Sequence, residues 1–159
     1  MASGIVLVDK PWGLSSHGAV ARVRKALGTK KVGHAGTLDP AATGLLVLGV
    51  NAGTRLLTYL VGLDKSYTAV MRLGYETTTD DAEGERVGEG SPSLETLTDQ
   101  SVLGLLDQFR GEIDQVPSTY SAIKVEGKRA YDLARSGQEV ELQSRPVSIT
   151  RLEEGPITR

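Results

Sequence analysis

The chain contains no cysteine, one tryptophan, one phenylalanine and two histidines in 159 residues. Without cysteine there is no disulfide framework, no thiolate nucleophile and no sulfur-based zinc or iron–sulfur site. The two histidines, His17 and His34, stand seventeen residues apart, which is no metal-ligand spacing. The acids Asp80, Asp81 and Glu83 lack the spacing of a calcium loop, so no metal is expected. Apolar runs such as Leu45–Leu48 fall far short of the roughly 20 residues that span a bilayer. A basic segment followed by an apolar one, as in a secretory leader, is missing from the N-terminus. These absences read as a cytoplasmic protein without a membrane partner. Nucleotide signatures are missing too. No Gly-x-Gly-x-x-Gly occurs, and Gly127-Lys128 lacks both the upstream glycine and the following hydroxyl residue of a phosphate-binding loop. A Gly-x-Ser-x-Gly nucleophile elbow is also absent.

What the chain does have is the composition of a globular domain. Hydrophobic residues make up 39% and charged residues 24%, and the length fits one domain of ordinary size. The net charge of −2 conceals an asymmetry. Residues 1–63 carry +5, and residues 64–159 carry −7. Five of the bases, Arg22, Arg24, Lys25, Lys30 and Lys31, fall within ten positions. Such a cluster reads either as a solvated helix face or as a phosphate-contacting patch for a polyanion.

Immediately after that cluster comes Gly33-His34-Ala35-Gly36-Thr37-Leu38-Asp39-Pro40, then Ala41-Ala42-Thr43-Gly44. Glycines permit close backbone approach and unusual dihedral angles, and Pro40 stiffens the exit. One carboxylate and one imidazole sit between them. The residues fit a plain turn in which Asp39 caps backbone. They also fit, less directly on spacing alone, a rigid loop that presents a single carboxylate for covalent or acid/base chemistry.

Periodicity predicts mixed α and β elements without strict βαβ regularity. Gly4–Asp9 reads as a buried strand running into the turn Lys10–Gly13. Ser15 or Ser16 caps a helix with Val20, Val23 and Leu27 at helical spacing and Gly28 just past its end. The Asp39 loop follows, then a strand at Gly44–Val50, a helix at Thr54–Val61 and a strand at Ser66–Leu73. Asp80–Gly90 is an acidic turn with a weak strand at Glu85–Val87. Thr98 caps an amphipathic helix bearing Val102, Leu105, Leu106 and Phe109, which Gly111 ends. Val116–Tyr120 reads as a loop, Ser121–Val125 as a strand, Arg129–Arg135 as a short helix closed by Gly137, and Arg145–Leu152 as a last strand.

Taken as blocks, the residues resemble a family. Val8-Asp9-Lys10-Pro11-Trp12-Gly13-Leu14-Ser15-Ser16 followed by the Gly33–Gly44 segment is similar to the TruB-type tRNA pseudouridine synthases. The similarity continues through Lys65-Ser66-Tyr67, Arg72-Leu73-Gly74, Thr79–Gly84, Phe109-Arg110-Gly111, Val116–Lys124, Gly127–Tyr131 and Arg145-Pro146-Val147. The resemblance implies an α+β fold, with a mixed, largely antiparallel sheet and flanking helices, incomplete at its C-terminus. Residues 1–159 would be the N-terminal portion of the catalytic domain, with 117–141 a thumb-like RNA-contact insertion. The C-terminal catalytic part and the PUA domain of the family would lie outside the chain.

The activity so implied is isomerisation of the T-loop uridine at tRNA position 55 to pseudouridine. It proceeds by cleavage of the glycosidic bond and re-attachment through C5, with no cofactor. Asp39 takes the place of the family's catalytic aspartate, acting either as nucleophile at C1′ or as base at C2′. A single carboxylate suffices for an isomerisation, whereas glycosidases pair two because they must activate water. Tyr67 would stack on the flipped uracil, or is a core tyrosine. His34 would help hold the T-loop, or is a structural histidine; His17 matches nothing in the family and reads as a first-turn helix residue. Lys10 and Pro11 would support the loop from beneath, with phosphate contact the lesser role of Lys10. Asp81 matches an acid near the cleft and equally a turn cap. Arg22, Lys30, Lys31, Lys124, Lys128 and Arg129 would contact RNA backbone, or are solvated surface. The implied partner is a tRNA T-stem-loop, bound by a monomer. The alternative reading is a truncated, non-catalytic RNA-binding or tRNA-folding module.

Overall fold

A computed structural model describes residues 2–118, 124–125, 128–129 and 142–158. The chain divides into two compact units, Met1–Thr68 and Ala69–Arg159.

The first unit is built on three strands. β1 (Gly4–Lys10) and β3 (Gly44–Val50) pair antiparallel along their whole length, Gly4 opposite Val50 and Lys10 opposite Gly44. β2 (Val32–His34) adds to the other edge of β3, with Val32 opposite Val50 and His34 opposite Leu48. The period of two in a strand sends Val6, Val8, Leu46, Leu48 and Val50 to one face. On that face lies α1 (Ser16–Leu27), whose Ala19 and Val20 complete the core with Val32. Val23, Leu14 and Leu38 pack around this cluster. Leu27, by contrast, is half exposed, because the apolar stripe drifts off the sheet at the end of the helix.

Both helix signals in the sequence act as expected. The Ser15 hydroxyl accepts the Gly18 N–H at 3.0 Å, and Gly28 takes the left-handed conformation (φ +60°) that closes the C-terminus. Ser15 is therefore the cap, which leaves the Ser16 side chain for other work.

β2 is a strand that the sequence does not announce. Val32-Gly33-His34 is short and glycine-bearing, and it becomes a strand because the β3 edge supplies hydrogen-bonding partners. His34 is consequently a strand residue, not part of the loop proper. Thr54–Val61 is likewise not one helix. A 3-10 stretch covers Asn51–Leu56, and only Leu57–Leu60 (α2) is α-helical. That tighter winding lets the segment lie against the sheet at glycines. A methyl on Gly53 would overlap the Gly4 carbonyl, and one on Gly49 would lie 2.8 Å from the Gly53 oxygen.

Ser66–Leu73 is not a strand. Its residues are exposed and irregular, and none of the described strands pairs with it. Alternation supplies a face, but a strand also requires a neighbour to receive its backbone groups.

The second unit consists of small antiparallel ladders and one helix. β4 (Glu76–Thr77) pairs with β5 (Arg86–Val87), β6 (Gly111–Gln115) with β9 (Arg145–Ile149), and β7 (Lys124–Val125) with β8 (Lys128–Arg129). β9 stops at Ile149, short of Leu152, because its partner begins at Gly111, which leaves the preceding 3-10 turn at φ +85°. α3 (Asp99–Leu106) starts at a capping box between Thr98 and Ser101 and passes into the 3-10 turn Asp107–Phe109. Tyr75 lies under two guanidinium groups, Arg86 at 4.1 Å and Arg72 at 5.5 Å from its ring centre. Arg129 belongs to a strand instead of opening a helix; the remainder of the expected Arg129–Arg135 helix, and Ser121–Ile123, lie outside the described residues. All described strand pairs are antiparallel, in keeping with the α+β expectation.

Leu48 is fully buried between β1, β2 and α1. Leu48→Ala should lower the unfolding free energy by about 2–5 kcal/mol in urea titrations. Gly53→Ala should lower it by about 1–3 kcal/mol through overpacking against Gly4.

Candidate active site

The His34–Gly44 segment connects two strands of one sheet, and contacts along its length fix it. Ala35 N–H donates to the Val47 carbonyl at 2.9 Å, continuing the β2–β3 ladder. The Leu38 side chain packs against the core. The Ser16 hydroxyl both accepts the Leu38 N–H (2.9 Å) and donates to the Leu38 carbonyl (3.0 Å). Beyond Asp39, the Pro40 carbonyl accepts the Gly13 N–H at 2.8 Å and the Lys10 ammonium at 3.3 Å.

Asp39 thus stands between two anchored residues. Its own carbonyl accepts the Ala42 N–H at 3.0 Å, closing a β-turn with aspartate first and proline second, as that turn favours. The turn reading and the presented-carboxylate reading are both realised, in different atoms. The backbone of Asp39 makes the turn, while its side chain is exposed and forms no hydrogen bond or ion pair among the described residues.

Lys10 has no exposed surface. Its ammonium donates to the carbonyls of Leu14 (2.6 Å), Pro11 (3.2 Å) and Pro40 (3.3 Å), which matches three protons to three acceptors. This geometry is that of the support beneath the loop, and it corrects the phosphate-contact expectation: a phosphate has no path to a fully buried ammonium whose donors are all engaged.

His34 is half buried on the helix-facing side of the sheet, opposite Leu48. Its Nδ1 bonds the Gly36 carbonyl. A carbonyl can only accept, so a proton on Nδ1 serves this contact and Nε2 is left to face other partners. The His17 ring stands edge-on to it, with centroids 5.4 Å apart and planes at 80°. Sequence reasoning missed this pairing because seventeen residues separate the two; α1 and β2, adjacent in space, bring them together.

Arg24 likewise leaves the basic cluster for a structural role, its guanidinium donating to the Val32 carbonyl at 2.8 Å. Arg22, Lys25, Lys30 and Lys31 are exposed, without an ion pair among the described residues. Tyr67 follows α2 in the irregular segment and is 69% exposed. Two residues earlier, Lys65 closes the end of α2 by donating to the Val61 and Leu63 carbonyls at 2.8 Å each. In the second unit Asp81 organises its hairpin turn, its carboxylate accepting from Thr79 Oγ1 (2.6 Å) and Glu83 N–H (2.9 Å). Lys124, Lys128 and Arg129 lie on the paired strands β7 and β8.

A family model described as TruB family pseudouridylate synthase (N terminal domain) matches residues 24–157. The chain belongs to this family. It is 57% identical to tRNA pseudouridine synthase B of Paenarthrobacter aurescens (strain TC1) over 159 residues, covering all of this chain and 50% of that protein. The corresponding protein of Arthrobacter sp. (strain FB24) is 57% identical over 153 residues, 96% of this chain and 49% of that protein. The chain spans about half the length of the curated relatives it matches. Among solved structures, one titled as a Cbf5-Nop10-Gar1 complex matches at 26% identity with a TM-score of 0.49, over 76% of this chain and 31% of that chain. No described helix is long and apolar enough to cross a membrane.

Lys10→Met removes the donor from three carbonyls in a dry site. It should cost about 1–3 kcal/mol of stability, read as a lower urea midpoint.

Proposed function

We propose that this chain is the N-terminal portion of the catalytic domain of a tRNA pseudouridine synthase, acting on the T-loop uridine at position 55. Membership of the TruB family supports the activity. The observation that carries the assignment to Asp39 is a carboxylate exposed and unpartnered among the described residues, between a residue held by Ser16 and one held by Lys10 and Gly13.

The reaction breaks the C1′–N1 bond of the uridine and forms a C1′–C5 bond. The C5 proton leaves to solvent and N1 gains a proton, so no oxidant, reductant or net water is consumed. Asp39 serves either by attacking C1′ through a carboxylate oxygen, displacing uracil at N1, or by taking the C2′ proton to give a glycal. For either role an anchored backbone holds the carboxylate at a fixed approach, and such positioning accelerates a step of this kind. The target base must first leave its stack, at a cost of a few kcal/mol. Tyr67, with its exposed ring, stacks on the extruded uracil. His34 offers Nε2 to the displaced loop. Arg22, Lys30 and Lys31 contact phosphates, with Lys124, Lys128 and Arg129 of a thumb at 117–141 doing the same.

Tritium release from tRNA labelled at uridine C5 tests the proposal. It is measured on the chain alone and on the chain fused to the C-terminal half of the Paenarthrobacter aurescens relative. The fusion should release tritium, and Asp39→Asn should reduce release on the order of a thousandfold or more while tRNA binding stays within about twofold. Undiminished release by that variant overturns the assignment; binding without release by the unsubstituted fusion favours the RNA-binding module. In a second measurement, Lys30→Gln with Lys31→Gln should weaken tRNA binding and lower the salt dependence of log Kd by about 1.5–2 in slope.

A further inference from the structure

Ser16 is not accounted for by the helix it begins. Ser15 performs the capping, accepting the Gly18 N–H. Ser16 follows it with only 2% of its surface exposed. Its hydroxyl engages a single residue twenty-two positions away, accepting from Leu38 N–H at 2.9 Å and donating to the Leu38 carbonyl at 3.0 Å.

That arrangement has a consequence for the next residue. The Leu38 carbonyl lies in the same peptide plane as the Asp39 N–H, and planarity makes the pair one rigid unit. Holding the carbonyl therefore sets the plane from which the Asp39 Cα emerges. Bonding the Leu38 N–H as well removes the rotation that one hydrogen bond would leave. On the far side, the Pro40 carbonyl is fixed by Gly13 N–H and Lys10. Asp39 itself stays free to reach a substrate.

We infer that Ser16 is a positioning residue for Asp39, fixing the direction of its carboxylate through the Leu38 peptide without touching substrate. The inference rests on the reading of Asp39 as the reacting group. The Leu38 side chain packs on the core independently of Ser16. Loss of the hydroxyl therefore loosens the loop's dihedral angles more than it weakens the fold. A shift of the order of 1 Å in a reacting group can cost about a hundredfold in rate.

The test combines kinetics with hydrogen exchange on Ser16→Ala. In the fusion protein, kcat for tritium release should fall about 10- to 100-fold with KM for tRNA within about threefold. In the 159-residue chain, exchange of the Leu38 amide should accelerate at least about tenfold, while the Leu46 and Leu48 amides keep their protection. Unchanged kcat overturns the inference. So does a rise in KM alone, which would make Ser16 an RNA-binding group, and so does equal loss of protection at Leu46 and Leu48, which would make it merely structural. Full release by Asp39→Asn would instead overturn the reading of Asp39, and Leu38 exchange would still decide whether the clamp exists.

Discussion

The first unit depends on an ammonium buried at the end of a strand. A charged group without water requires a full set of partners, since an unsatisfied buried charge is among the most destabilising features a fold can carry. Lys10 obtains that set entirely from backbone carbonyls, of Pro11, Leu14 and Pro40. Two come from the turn that leads β1 into α1, and the third from the loop between β2 and β3. The requirement to satisfy one side chain therefore ties two connections to the end of β1 at a single point. Directional hydrogen bonds make that junction far less tolerant of displacement than apolar contact would. The sheet supplies rigidity, and the ammonium converts it into a fixed position for the Asp39 loop.

Legibility in the sequence followed locality. The cap at Ser15, the terminator at Gly28 and the strand Gly44–Val50 are written in nearest-neighbour patterns, and they formed as such. β2 and the Ser66–Leu73 segment went the other way for a shared reason. Val32–His34 has no strand pattern but has a partner edge, whereas Ser66–Leu73 has the pattern and no partner among the described strands. The loop marked Asp39 as a candidate presented carboxylate, and the family resemblance gave it the catalytic role. Its local sequence describes a turn, and the turn is there. What no local reading could supply is that its neighbours at 38 and 40 are each anchored to a different, sequence-distant group. Ser16, His17 and Arg24 were invisible for the same reason, because their partners lie eight to twenty-two positions away.

The basic cluster shows how composition and role diverge. Of five neighbouring cations, all exposed, Arg24 also holds α1 to the carbonyl of Val32, while Arg22, Lys25, Lys30 and Lys31 form no ion pair among the described residues. The second unit carries its own distribution of charge: Asp81 is absorbed by the hairpin turn, and Arg72 and Arg86 lie on the ring of Tyr75. A charge count over a segment therefore does not show which groups also hold the fold together.

The turn from β1 to α1 contains the chain's single tryptophan. Trp12 is exposed and sits between Pro11, whose carbonyl binds the buried ammonium, and Gly13, whose N–H binds Pro40. The backbone that bears its indole is joined on both sides to residues that brace the Asp39 loop. The protein thus carries its one indole fluorophore at its mechanical junction, within the turn that the buried ammonium holds to the Asp39 loop.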